Sequence, residues 1–134
     1  MSIEFPLRSK LTAFGRVSDP TIPIAVQTPG GERTYMFLLD TGADFSVAPR
    51  RLAQQVGLEW TTLPEARVVG VEQRGVRARV GQLPIRVKAL TCTVRCLFMD
   101  TPSAPFILGR ADFLDRLILT IDPARQRIVL TDLP

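Results

Sequence analysis

Histidine is absent from this chain. Its absence removes Ser-His-Asp and Cys-His nucleophilic arrangements, His-ligated zinc and imidazole acid/base catalysis together, so any acid/base work falls to carboxylates. Cysteine is nearly absent too, with Cys92 and Cys96 the only two. Four apart in the alternating stretch Thr91-Cys92-Thr93-Val94-Arg95-Cys96, they would face one side of a strand about 13 Å apart, beyond the roughly 7 Å reach of a disulfide. Both read as reduced core thiols, and with no histidine to complete a shell neither a metal nor another cofactor is expected. No apolar run approaches the roughly 20 residues of a membrane span, and Met1 to Arg8 carries no apolar signal core, so a cytoplasmic protein without membrane association is the default expectation.

What is present is a globular composition, 46% hydrophobic and 22% charged over 134 residues, enough for one domain over 1–134 with a core of its own. The 17 basic and 13 acidic residues leave a net charge of +4. Such a balance points to nucleic acid only where it clusters with aromatic side chains. The best cluster, Arg67, Arg74, Arg77 and Arg79, straddles an expected hairpin with no aromatics interleaved, so a solvated face is the reading and no nucleic-acid partner is expected. Trp60 has two readings, core filling or the lining of a subsite.

Alternation organises the rest. Ile3, Phe5 and Leu7 alternate with Glu4 and Pro6 as a short edge strand. Residues 22–27 and 34–39 flank the turn sequence Thr28-Pro29-Gly30-Gly31-Glu32, giving a hairpin whose return strand is expected to be buried on both faces. Pro49 to Val56, closed by Gly57, has the makings of a short helix with Leu52 and Val56 inward. Ala66 to Val80 reads as a hairpin with a polar tip bounded by Gly70 and Gly75. Strands are expected at 83–87, 92–99, 107–109, 117–121 and 127–130, with a second short helix at 111–116. Many short strands at this spacing make an all-β barrel or sandwich with one or two short helices.

The chemistry concentrates in Leu38-Leu39-Asp40-Thr41-Gly42-Ala43-Asp44, answered about seventy residues later by Phe106-Ile107-Leu108-Gly109-Arg110. Alone, Asp-Thr-Gly after a strand is turn chemistry. With the apolar lead-in, the Gly-bounded hairpin about thirty residues on and the apolar pair before Gly-Arg, the chain resembles the retropepsin-like aspartic proteases from about Ile22 to Leu130. That resemblance implies a closed retropepsin-like barrel with a flap, and a homodimeric aspartic endopeptidase acting on peptide or protein substrates.

In that family Asp40, Thr41 and Gly42 would be the catalytic loop. Because the mechanism needs two carboxylates sharing a proton and the chain has one Asp-Thr-Gly, an identical partner would supply the second. Thr41 would hydrogen-bond across the interface, and Ala43, in place of the Ser or Thr of pepsins, would shift the pH optimum toward neutrality. Substrate would be met by Ala43, Asp44, Ile107 and the flap residues Gly70, Val71 and Gly75. Leu108, Gly109 and Arg110 would support the loop, Arg110 pairing with Asp44. Dimeric relatives interleave terminal strands, and the apolar termini at Ile3-Phe5-Leu7 and Ile128-Val129-Leu130 offer this, although a monomer could use them as ordinary edge strands. The alternative function is a noncatalytic dimeric peptide-binding module on the same fold.

Overall fold

The computed structural model describes residues 1–69 and 75–134. Twelve strands run in chain order among them. They are β1 (Ser2–Pro6), β2 (Arg8–Thr12), β3 (Gly15–Asp19), β4 (Thr21–Thr28), β5 (Gly31–Leu39) and β6 (Ser46–Pro49), then β7 (Glu65–Val69), β8 (Gly75–Val87), β9 (Leu90–Met99), β10 (Ile107–Leu108), β11 (Leu117–Asp122) and β12 (Arg127–Asp132). A short helix, α1 (Arg50–Gln55), follows β6.

Six of these strands close on themselves. The order β4-β5-β10-β6-β9-β8 is completed by a β8–β4 pairing at Ala25↔Arg86, and β7 is added outside β8. Closure leaves few free edges and encloses one core. Ile22, Ile24, Phe37, Leu83, Val94 and Phe98 have 3% exposure or less, so the alternation read from the sequence does mark the inward face.

The long flap-side strand differs from expectation. Residues 76–80 and 83–87 belong to one strand, β8, which runs through Gly81 without a break. A Cβ at Gly81 would lie 2.9 Å from the Phe98 ring and 3.1 Å from Leu58, so glycine here serves close packing rather than a turn. The return strand β5 is likewise not buried on both faces: Met36 is 45% exposed while Phe37 and Leu39 are buried. Helix α1 follows Pro49 as its N-cap, buries Leu52 and Ala53, and ends at Gly57 with φ +87°. The helix expected at 111–116 shortens to a 3-10 turn over Leu114–Arg116.

The two termini form their own sheet, β1-β12-β11, with Ile3↔Leu130 and Phe5↔Ile128 paired antiparallel. All four of those side chains are buried in the chain's own core. Among the described residues, strands β2 and β3 pair only with each other. Cys92 and Cys96 are free thiols, and burial pushes both above the ordinary thiol range, Cys96 the more strongly. Among the described residues no helix is long and apolar enough to cross a membrane.

Candidate active site

The loop after β5 is built around a crossing. β5 and β6 are joined by residues 40–45, yet they do not pair with each other. β10 lies between them, parallel to β5 (Ile107↔Leu38, Leu108↔Leu39) and antiparallel to β6 (Ile107↔Val47). The apolar pair Ile107-Leu108 therefore threads directly beneath the loop, and Leu108 is fully buried there.

Asp40 sits at the end of β5, half-buried. Its backbone N–H donates to the Leu108 carbonyl (3.0 Å), and the preceding Leu39 N–H donates to the Pro20 carbonyl (2.9 Å). The Gly42 N–H donates to Asp40 Oδ1 at 2.9 Å, and the Ala43 N–H to the Asp40 carbonyl at 3.2 Å. An aspartate whose carboxylate accepts from the backbone two residues on is the favoured way to start such a turn. Thr41 and Gly42 are exposed at its crown.

The chain leaving β10 ties down the other half of the loop. Arg110 N–H donates to the Ala43 carbonyl and Ala111 N–H to the Asp44 carbonyl, both at 2.9 Å. Arg110 Nη1 reaches the Thr41 carbonyl at 2.6 Å, and its Nη2 donates to Asp44 Oδ1. The carbonyls of Asp40, Thr41, Ala43 and Asp44 are thus all engaged, an unusual density of bonding for a surface turn. The Asp44–Arg110 pair is 75% and 40% exposed at its two side chains. Within one chain it is a surface pair.

Gly109 is where the two segments touch. A Cβ there would lie 2.5 Å from the Phe45 carbonyl oxygen and 2.8 Å from that of Ala43. Both obstacles are backbone, so only glycine passes. Its N–H donates to Ser46 Oγ at 3.2 Å, a bond made inside the core by a fully buried serine. Reading the sequence left Ser46 unnamed; a lone polar residue opening the apolar strand Ser46-Val47-Ala48 was the available signal.

Asp112 and Arg95 were missed as well. Asp112 accepts from Arg95 Nε (2.8 Å) and from the Arg95 backbone N–H (2.9 Å), tying the segment after β10 to β9. Those bonds hold the Asp112 carboxyl below the usual carboxylate range. Asp112 has φ +67°, a conformation that aspartate and asparagine tolerate best after glycine. The Arg95 guanidinium lies 5.3 Å from the Phe45 ring centre.

Loop and hairpin together form a cleft of about 630 Å³, a size typical of ligand sites. Gly42, Ala43, Asp44, Phe45 and Val47 make one wall. Ala66, Arg67 and Val80, from the paired arms β7 and β8, face them, with Arg95 and Leu97 of β9 beside. Of the expected substrate contacts the cleft gathers Ala43 and Asp44; Ile107 is half-buried beneath the loop, and Gly75 opens β8. Gly70 and Val71 lie outside the described residues.

Trp60 does not line this cleft. It packs half-buried against the core, with the guanidinium groups of Arg50 and Arg79 at 4.5 and 5.5 Å from its ring centre. Arg79, one of the four clustered arginines, is engaged by Glu65 and by the carbonyls of Trp60 and Leu63. Arg74 lies outside the described residues.

Comparison with known proteins agrees with this geometry. The sequence profile of the aspartyl protease family matches residues 22–112. No curated protein sequence matches the chain. Among solved structures, a retropepsin-like aspartic protease from Rickettsia conorii is similar with a TM-score of 0.60 and 18% identity, over 97% of this chain and 91% of that one. EIAV protease complexed with the inhibitor HBY-793 is similar with a TM-score of 0.52 and 25% identity, over 69% of this chain and 82% of that one. With the family profile spanning well over half its length, and its loop, crossing strand and barrel in the matched region, the chain belongs to the aspartyl protease family, has the retropepsin-like fold and is an aspartic-type peptidase.

Proposed function

We propose that the protein is a homodimeric aspartic endopeptidase in which Asp40 from each of two chains forms the catalytic pair. The observation that carries this reading is the Asp40-Thr41-Gly42 turn, Asp40 half-buried and Thr41 and Gly42 exposed, on a loop braced from below by β10 and Arg110. A single carboxylate is held there per chain. Asp44, the nearest acid in sequence, is engaged by Arg110, which supports a second copy as the source of the second catalytic carboxylate.

In such a dimer the two Asp40 carboxyls meet across a two-fold axis, where like charges cannot both ionise cheaply. They share one proton and titrate as a pair. The ionised partner takes a proton from a water that attacks the scissile carbonyl, and the other carboxyl passes its proton to the departing nitrogen. No covalent enzyme intermediate is formed. Gly42 N–H on Asp40 Oδ1 orients the carboxylate, and the exposed Thr41 hydroxyl is the group that bonds to the partner loop. Peptide binds extended in the cleft beside Ala43 and Asp44, its backbone adding to strand edges and its side chains selected by pockets. Ile107 borders that groove, and the hairpin of β7 and β8 covers the peptide; Gly70, Val71 and Gly75 are the residues of that segment proposed to meet it.

Mixing wild type with Asp40→Asn tests the shared pair. After subunits exchange, peptide cleavage should fall as the square of the wild-type fraction, since a mixed dimer holds one ionisable carboxyl. A linear fall would place the whole site in one chain. Asp40→Asn alone should lose at least ~10³-fold in kcat while still dimerising; retained cleavage would reject Asp40 as the catalytic group and favour a binding module.

A further inference from the structure

We propose that the β2–β3 hairpin is an intersubunit arm that grips a second copy of this chain beside the catalytic loops, an inference that rests on the two-chain reading above.

The terminal strands, which could have interleaved with a partner, are already consumed. β1 and β12 pair with each other, and Ile3, Phe5, Ile128 and Leu130 fill the chain's own core. The hairpin is the opposite case. Among the described residues its strands pair only with each other, and of their ten residues all are exposed except Thr12 and Asp19, which are half-buried. A two-stranded ribbon standing free in water is marginal in stability.

The ribbon nevertheless carries apolar side chains. Leu11 is 73% exposed, Val17 47% and Phe14, at the turn, 101%. Register places Leu11 opposite Arg16 and Val17 opposite Lys10, so Leu11 and Val17 lie on opposite faces and Phe14 at the end between them. The turn is organised to present Phe14, because Thr12 Oγ1 donates to the Gly15 carbonyl (2.7 Å) and accepts from the Phe14 N–H (3.1 Å). An apolar tip held in place but left exposed to this degree is built for contact with another chain.

Position selects which other. The chain leaves β3 through Pro20, whose carbonyl accepts from the Leu39 N–H at 2.9 Å, one residue before Asp40. The arm is therefore rooted beside Asp40, which in the proposed dimer faces its copy across the two-fold axis. Five residues of strand extend about 17 Å, long enough to cross that axis and lie on the partner. In a two-fold dimer each chain's arm grips the other chain, so the contact is made twice.

Two variants test this. In one, Ser9 to Ser18 is replaced by Asn-Gly, a two-residue hairpin loop that joins the paired positions Arg8 and Asp19; in the other, Phe14→Asp alters one fully exposed side chain. Thermal unfolding monitors the fold, sedimentation gives the dimer dissociation constant, and peptide cleavage is followed against protein concentration. Both variants should stay folded, with the dissociation constant raised about tenfold or more and activity recovered at high concentration because the Asp40 loop is intact. Unchanged dissociation constants in both variants would overturn the arm while leaving the shared Asp40 pair standing. A raised KM with an unchanged dissociation constant would also overturn it, placing the hairpin on substrate. A wild-type protein that stays monomeric while cleaving peptide would overturn both readings at once.

Discussion

The Asp40 loop and the β2–β3 hairpin are both turns at the surface, and they are held in opposite ways. In residues 40–44 nearly every backbone carbonyl is bonded, and most of the donors lie more than sixty residues away, on Arg110 and Ala111, while the Asp40 N–H donates to the equally distant Leu108 carbonyl. In residues 8–19 the bonds run from one strand of the ribbon to the other. The first region owes its geometry to the closed barrel; the second has geometry but no core. Preorganised groups at a reacting centre need the former kind of support. An arm that closes on a partner needs only the latter.

The contrast breaks most severely at Gly109. Gly109→Ala puts a methyl against the Phe45 and Ala43 carbonyls, so backbone must move; a loss of about 3 kcal/mol is expected, read by denaturant unfolding, with cleavage abolished. Ser46→Ala should follow, leaving the Gly109 N–H buried without its acceptor at a cost of about 1–3 kcal/mol. Arg110→Lys sharpens the comparison in another way. Its pairing is exposed, so stability should change by less than about 1 kcal/mol, but it positions the Thr41 carbonyl, and kcat should drop about tenfold to a hundredfold with little change in KM. Equal losses in both would indicate a substrate contact instead.

Acid separates the brace from the loop it supports. Asp112 is held below the usual carboxylate range first by its bonds from Arg95, so the folded state keeps it ionised at pH values where the unfolded chain binds a proton. Its contribution is complete above the ordinary carboxylate value of about 4 and is lost as pH falls through the lowered folded value. The Tm difference between wild type and Asp112→Asn should accordingly be largest near neutrality and shrink as pH falls through the lowered folded value; asparagine keeps the positive φ. Smallest of all, Leu11→Ser in the hairpin should leave monomer stability within about 0.5 kcal/mol, as measured by urea unfolding below the dimer dissociation constant. A larger loss would mean that the ribbon packs on its own chain after all.

Sequence by itself determined the strand-rich class, most of the core-facing residues and the family to which the Asp-Thr-Gly loop points. Those signals are local: period-two alternation, the Pro49 and Gly57 bounds of α1, and an Asp-Thr-Gly turn after apolar residues are each decided within a few positions. It did not show the hairpin at 8–19, because Arg8-Ser9-Lys10-Leu11-Thr12 buries no face and so carries no alternation to read. Nor did it show that β8 continues through Gly81, which depends on how closely Phe98 approaches. Tertiary structure alone decided that β10 threads between β5 and β6, that Ser46 and Asp112 brace the crossing, and that β1 and β12 pair with each other within one chain. Each of these is a contact between segments distant in sequence, whose residue types permit several partners. Only closure of the barrel brings one of those partners within hydrogen-bonding range.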